Sequence, residues 1–227
     1  MTHTNYTHRI RVWDLPTRIF HWLLLASIAG LYITSELEGG AMQFHFFLGY
    51  HVLVLLLFRI TWGVVGGHWS RFANFIPSPL TLLAYVRSLR AEALPNSVGH
   101  NPLGALSVMA MLSLLLLQVF TGFMSDDEAS NTGPWTSLVP NSWVELATEY
   151  HAEIGQVLLL FVIGLHVLSV LYYKFIKHDD LITPMLNGDK NFDTEIQHSR
   201  DTWTSRLFAL GIYLACSYVV YCLINIA

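Results

Sequence analysis

One stretch of the sequence, from Tyr150 to Lys174, limits what the whole chain can fold into. Between His151 and Lys174 it carries a single charged residue, Glu153, and is otherwise almost entirely apolar. A helix of about 20 residues crosses the hydrocarbon core of a bilayer. The stretch therefore predicts a transmembrane helix in an integral membrane protein.

Two histidines lie in this helix, His151 near one end and His166 nearer the other. Helical geometry separates them by about 22 Å along the axis and about 60° around it. An imidazole inside a membrane is costly, which makes it a candidate functional group. The alternative is that each ring only packs in the protein and hydrogen-bonds a neighbour. Matching histidines at the same depths on other helices would favour cofactor ligation.

The rest of the chain repeats the membrane pattern. It is 53% hydrophobic and only 12% charged, against about 25% charged residues in soluble domains. Apolar segments predict five helices, at about 14–35, 42–66, 102–124, 142–175 and 206–227. Asp14 and Pro16 are typical of a helix start. The sequence predicts a polar tail at residues 1–13. It also predicts that an amphipathic segment bearing Arg87 and Arg90 forms a helix along the membrane interface.

The basic residues are all on one side of this layout. The predicted loops between helices 1 and 2 and between helices 3 and 4 contain no lysine or arginine. The positive-inside rule then predicts a cytoplasmic N-terminus and a periplasmic C-terminus. The twelve residues are Arg9, Arg11, Arg18, Arg59, Arg71, Arg87, Arg90, Lys174, Lys177, Lys190, Arg200 and Arg206.

This topology sorts four histidines into two pairs by depth. His21 and His166 lie toward the cytoplasm, and His45 and His151 lie toward the outside. Two imidazoles on facing helices suit a six-coordinate haem b, and no C-x-x-C-H motif attaches haem covalently. His51 lies about 9 Å deeper than His45 on another helix face. Spacing alone leaves His45 and His51 both open as the partner of His151.

Several motifs in order resemble the bacterial cytochrome b561 family, and in particular the b-type cytochrome subunits of nickel–iron hydrogenases. The similarity covers about residues 10–190. The motifs are RIFHW at 18–22, HFFLG at 45–49, RITWG at 59–63, GHNPLG at 99–104 and DDLITPMLNG at 179–188.

The resemblance implies an all-α fold. It implies a membrane four-helix bundle within residues 1–190 that holds two b haems by bis-histidine ligation. The cytoplasmic linker and the fifth transmembrane helix within 191–227 are predicted from the apolar pattern and lie outside the family's core pattern, so this helix either packs on the bundle or docks a partner. The resemblance also implies a protein of the bacterial inner membrane that passes electrons between a periplasmic redox partner and the quinone pool.

Carried over residue by residue, the resemblance implies His21 and His166 as ligands of the inner haem iron and His45 and His151 as ligands of the outer one. The family pattern on helix 2 is His-x-x-x-Gly with an arginine further along. His45, Gly49 and Arg59 match it, which favours His45 over His51. Gly49 leaves room for a flat macrocycle. Arg59 either pairs with haem propionates or reaches from the helix end to the membrane surface.

The interval between His151 and His166 is about one residue longer than is usual in the family. The residue one step closer is Ala152, which cannot ligate a metal, so His151 keeps the role. A local bulge near Gly155 would absorb the extra residue.

Three functions are consistent with these patterns. The first is a dihaem electron carrier, the second is a stand-alone oxidoreductase such as a superoxide:quinone oxidoreductase, and the third is a haem-free membrane protein. For the first we expect membrane lipid, quinone and a periplasmic c-type cytochrome or hydrogenase-like protein as partners, with no nucleic acid; a homodimer is left open.

Two smaller patterns bear on the partners. His100 either lines a quinone site or belongs to a helix start, with Asn101 as the N-cap and Pro102 following it. An acidic outer face would steer a basic redox partner, or it only reflects the exclusion of basic residues from outer loops. Its residues are Glu36, Glu38, Asp126, Asp127, Glu128, Glu145 and Glu149.

Overall fold

The computed structural model describes residues 8–37, 40–88, 97–127 and 131–226. Glu38, Arg90 and Glu128, which the sequence predictions name, lie outside these ranges. Five helical stretches are long and apolar enough to cross a membrane, so the predicted all-α membrane fold is confirmed. They are α1 (Leu15–Ser35), α2 (Ala41–Val65), α5 (Pro102–Met124), the stretch Asn141–Phe175, and α9 (Trp203–Ile224).

Each long helix lies within three residues of its predicted range. Half of the residues in the apolar stretch of α2 are buried, against 11–22% in the apolar stretches of the other four. Large apolar side chains such as Phe161 and Leu168 are therefore exposed on the protein surface, as expected where lipid is the solvent.

Shorter elements lie between the long helices. The stretch Asn141–Phe175 consists of α6 (Asn141–Glu149), a π-helical turn (Tyr150–Gly155) and α7 (Gln156–Phe175). The others are β1 (His8–Arg11), α3 (Phe72–Phe75), α4 (Pro79–Ser88), α8 (Ile182–Asn187), β2 (Asp189–Phe192) and the 3₁₀ turns His68–Ser70 and Thr136–Leu138.

The chain forms two compact units. A sheet unit comprises described residues within 1–19, 60–109 and 166–209, and a helical unit comprises those within 20–59, 110–165 and 210–227. The division at residue 190 expected from the resemblance rests on sequence alone and stays a prediction.

In the sheet unit, β1 and β2 pair antiparallel, with Arg11 opposite Asp189. Ile10, Val12 and Trp13 are buried in a cluster with Phe192. The prediction that residues 1–13 form only a polar tail is therefore wrong for residues 8–13. The local sequence does not indicate this strand, because the strand that pairs with β1 lies about 180 residues later in the chain.

Asp14 is a buried junction of the sheet unit. Its Oδ1 accepts hydrogen bonds from the backbone N–H of Thr17 at 2.8 Å and from Trp62 Nε1 at 3.1 Å. Its Oδ2 accepts from Ser70 Oγ at 2.8 Å and from the backbone N–H of Gly67 at 3.2 Å. The carboxylate thus begins α1 as an N-cap, as predicted, and also binds the chain that follows α2.

In the helical unit, contacts join segments of all five long helices. Tyr50 of α2 lies edge-on to Phe123 of α5, and Phe58 of α2 contacts Tyr213 of α9. Trp135, after α5, donates its Nε1–H to the carbonyl of Leu223 near the end of α9. The fifth membrane helix therefore packs against the others in this unit.

Candidate functional site

His45 and His151 face each other in the helical unit. Their ring centroids are 6.2 Å apart and their planes are nearly perpendicular, at 82°. His45 lies in the first turns of α2, and His151 lies in the π-helical turn before α7. The structure thus brings together the two residues that the sequence predicted as ligands of the outer haem.

Both imidazoles are held in one tautomer. Nδ1 of His151 lies 2.8 Å from the carbonyl oxygen of Gln118, and Nδ1 of His45 lies 3.1 Å from that of Leu31. A carbonyl oxygen only accepts, so in each ring Nδ1 carries the proton and donates it. Nε2 then holds a free lone pair. A metal-ligating histidine has this arrangement, with its other nitrogen bonded to a carbonyl.

The separation of the rings fits one metal ion between them. Metal–imidazole bonds are about 2 Å long, so two trans imidazoles place their ring centroids about 6 Å apart once the ring radii are added. The observed 6.2 Å agrees with this distance. The two residues therefore fit a site that would hold a haem iron between their imidazoles.

Gly122 of α5 allows this close approach. A Cβ at this position would lie 2.6 Å from Cε1 and 3.0 Å from Nδ1 of His151. Gly122 follows Gln118 by one helical turn, on the same face of α5. Sequence reasoning missed Gly122 and Gln118; an isolated glycine within an apolar helix was the only available signal.

The bulge predicted near Gly155 is confirmed as the π-helical turn Tyr150–Gly155. Gln118 stabilises it, since its Nε2 donates to the carbonyl of His151 at 2.8 Å. A Cβ on Gly155 would collide with Gln118 Oε1 and lie 2.6 Å from Tyr150 Cε1. A side chain at this position would therefore displace the Gln118 amide that contacts the bulge.

His51 has different neighbours. Its Nδ1 lies 3.0 Å from Ser27 Oγ, whose own proton goes to the carbonyl of Leu23 at 2.8 Å. Nδ1 of His51 is therefore the donor to Ser27. The ring of His51 also lies 6.4 Å from that of Tyr213 on α9. The ring of His45 thus lies against His151 whereas that of His51 lies against Tyr213, which favours His45 over His51 as the partner of His151.

Gly49 and Arg59 share α2 with His45. A Cβ on Gly49 would meet no atom within 4 Å, and Gly49 follows His45 by one turn on the same face. This open space fits a flat group beside the helix. Arg59 is only 3% exposed, which favours an internal role over a side chain that reaches the membrane surface.

The two residues predicted to bind the inner haem belong to different compact units. His21, half-buried on α1 in the helical unit, lies edge-on to Trp22 with 5.0 Å between the centroids. His166, half-buried on α7, belongs to the sheet unit. Ligation by these two residues stays a prediction.

His100 belongs to a helix start in the sheet unit. Its ring contacts Trp13 at 4.8 Å and Phe75 at 4.6 Å between centroids. The next residue, Asn101, accepts the backbone N–H of Gly104 at 2.7 Å. The interpretation of Asn101 as an N-cap is confirmed. A quinone role for His100 has no support from these contacts.

Apolar membrane helices and two facing imidazoles with free Nε2 atoms fit a membrane haem protein. The chain belongs to the prokaryotic cytochrome b561 family, whose sequence profile matches residues 12–188. It is therefore a multi-pass membrane b-type cytochrome that works in electron transfer and binds haem b, so the haem-free interpretation is set aside.

Individual relatives agree with this family. A probable Ni/Fe-hydrogenase B-type cytochrome subunit of Bradyrhizobium diazoefficiens is 26% identical over 81% of this chain and 86% of its own. A probable Ni/Fe-hydrogenase 1 B-type cytochrome subunit of Escherichia coli K12 is 26% identical over 78% of this chain and 88% of its own. A comparison with solved structures finds no significant match.

Proposed function

We propose that this cytochrome binds two b haems and carries electrons between a periplasmic redox partner and the quinone pool of the bacterial inner membrane. The observation that carries the proposal is the facing pair of His45 and His151 with both Nδ1 protons donated to carbonyls. We assign the second haem to His21 and His166, on the family resemblance and their equal predicted depth.

The residues around the outer pair orient the two ligands. When bound, haem b supplies a one-electron redox centre. The carbonyls of Leu31 and Gln118 hold each imidazole in one tautomer and raise the basicity of Nε2. The surrounding apolar helices exclude water, which lowers the local dielectric and thereby tunes the reduction potential. Within this proposal, the buried Arg59, further along α2, would pair with the propionates of the inner, cytoplasmic haem.

The relatives named as hydrogenase subunits support a hydrogenase-like partner, with a c-type cytochrome as the other candidate. The acidic outer face supports a partner with a basic surface, because opposite charges speed the encounter. Its described members are Glu36, Asp126, Asp127, Glu145 and Glu149. The absence of Lys and Arg from the same sequence loops supports placing this face in the periplasm.

The first experiment counts haem in the purified protein by pyridine haemochrome and records reduced-minus-oxidised spectra of single variants. We expect two b haems in the wild type, and one haem lost or converted to high spin in each of His21→Ala, His45→Ala, His151→Ala and His166→Ala. His51→Ala is the matched control and keeps both. Loss of haem in His51→Ala but not in His45→Ala would overturn the outer pair.

A second experiment tests whether the acidic outer face attracts a basic redox partner. We expect reduction by a basic partner to slow steeply as ionic strength rises, because salt screens the acidic face. A rate that does not change with salt would exclude steering by this face. Superoxide-driven quinone reduction by the purified protein alone would instead identify it as a stand-alone oxidoreductase.

A further inference from the structure

A small cavity follows the end of α2 in the sheet unit. Its volume is about 200 Å³, and its walls come from the turn after α2 and from the segment before α9. No acidic residue lines it, whereas two arginines and two histidines do. The lining residues are Val65, Gly66, His68, Arg71, Gln197, His198 and Arg200.

Hydrogen bonds join the two walls. Trp69 donates its Nε1–H to the carbonyl of Gln197 at 2.8 Å and its backbone N–H to Ser199 Oγ at 3.3 Å. Ser199 in turn donates its backbone N–H to the carbonyl of Arg11 at 2.7 Å. The cavity is therefore preformed by the fold.

Both histidines of the cavity keep their proton on Nε2. Nδ1 of His198 accepts the backbone N–H of Arg11 at 3.2 Å. Nδ1 of His68 accepts from the guanidinium of Arg71 at 3.4 Å and from the side-chain amide of Asn74 at 3.3 Å. Since Nδ1 is an acceptor in both rings, each neutral imidazole is a donor at Nε2.

The lining of the cavity is positively charged, because among the described residues it holds two arginines and no carboxylate. Arg71 and Arg200 form no ion pair with a carboxylate in the part of the chain that the structure describes. The neighbouring Asp201 is engaged by Arg11 and Arg206, each at 2.8 Å. Burial and the charge of Arg71 lower the pKa of His68, which agrees with a positive potential at this place.

We propose that this cavity binds a phosphate group, either the headgroup phosphodiester of an anionic phospholipid or free phosphate. Guanidinium and imidazole N–H groups are the donors that phosphate oxygens accept. The volume lies below the range of about 300–1,000 Å³ that encloses drug-sized ligands, so the cavity suits a small anion. Its place at the end of a membrane helix, next to Val65, matches the depth of a lipid headgroup.

Native mass spectrometry of the haem-loaded protein tests the proposal with phosphatidylglycerol, and competition with inorganic phosphate separates the two sources. We expect one tightly held phosphatidylglycerol in the wild type and binding weaker by about tenfold or more in the double variant Arg71→Gln/Arg200→Gln. Arg87→Gln on α4 is the matched control, because it removes an exposed arginine that does not line the cavity.

Gln197→Glu gives a second variant that leaves both arginines in place. It puts a carboxylate on an exposed wall residue, and we expect it to expel the anion. Phosphate binding without lipid binding, lost in the same variants, would assign the cavity to free phosphate. Equal phosphatidylglycerol and phosphate binding by the wild type, the double variant and Gln197→Glu would overturn the proposal.

Discussion

Gln118 and His151 are joined by two hydrogen bonds that run in opposite directions. The imidazole Nδ1 of His151 donates to the backbone carbonyl of Gln118 at 2.8 Å, and the side-chain amide of Gln118 donates to the backbone carbonyl of His151 at 2.8 Å. One residue of α5 thus sets the ring orientation of His151, the proposed haem ligand, and also stabilises the π-helical turn that carries it.

Gln118→Leu tests the second of these bonds. The variant keeps the backbone carbonyl for Nδ1 but removes the side-chain donor, at a cost of about 0.5–1.5 kcal/mol. We expect haem still to bind but to be lost at a lower midpoint temperature. The Soret absorbance measures this loss during heating. Gln156→Leu is the control, because it removes an exposed amide that bonds to Ala152 in the same turn. Equal effects in both variants would refute a special role for Gln118.

Gly122→Ala tests the close approach of α5 to the outer ligand. The new Cβ would lie 2.6 Å from the ring of His151, so the ring has to move, and we expect a cost of about 1–3 kcal/mol. The haem-to-protein ratio should fall, and the low-spin spectrum of the haem that we propose His151 to bind should change. Gly211→Ala adds a methyl group that meets no atom within 4 Å and should leave both unchanged. An unaltered spectrum in Gly122→Ala would show that the ring does not depend on this contact.

Asp14→Ala should destabilise the sheet unit. The variant leaves Trp62 Nε1, the Ser70 hydroxyl and two backbone N–H groups without their buried acceptor, at a cost of about 2–4 kcal/mol. Chemical denaturation in detergent measures it. Asp180→Ala is the matched control, because the carboxylate of Asp180 accepts hydrogen bonds from Thr183 at the exposed start of α8. Loss of this exposed carboxylate should cost less than about 1 kcal/mol. Similar losses in the two variants would contradict the junction role of Asp14.

The sheet unit should lose stability in acid. Burial alone would raise the pKa of Asp201, but the hydrogen bond from Arg206 and the charges of Arg206 and Arg11 outweigh burial and lower it. A carboxylate with a depressed folded-state pKa contributes stability above its unfolded pKa, near 3.9, and loses it as the pH falls through the folded value. We expect Asp201→Asn to flatten the decline in stability below about pH 4. A decline as steep as that of the wild type would assign the acid sensitivity to other groups.

The sequence alone was sufficient for the membrane helices and for the helix starts at Asp14 and Asn101. Long apolar segments are unambiguous because a chain in lipid has to satisfy its backbone hydrogen bonds internally. The bulge near Gly155 was also predictable, because the interval between His151 and His166 is about one residue longer than the family pattern. Helix caps and bulges are local features, so their signals lie within a few residues of each other.

The tertiary structure decided what depends on distant parts of the chain. The structure favours His45 over His51 because the ring of His45 lies against His151 and that of His51 lies against Tyr213, and spacing along α2 does not contain that information. Gly122 and Gln118 became visible only as contacts of His151. The pairing of β1 with β2 and the four donors around Asp14 likewise join residues far apart in sequence, because burial of a polar group is satisfied by whichever donors the fold brings near it.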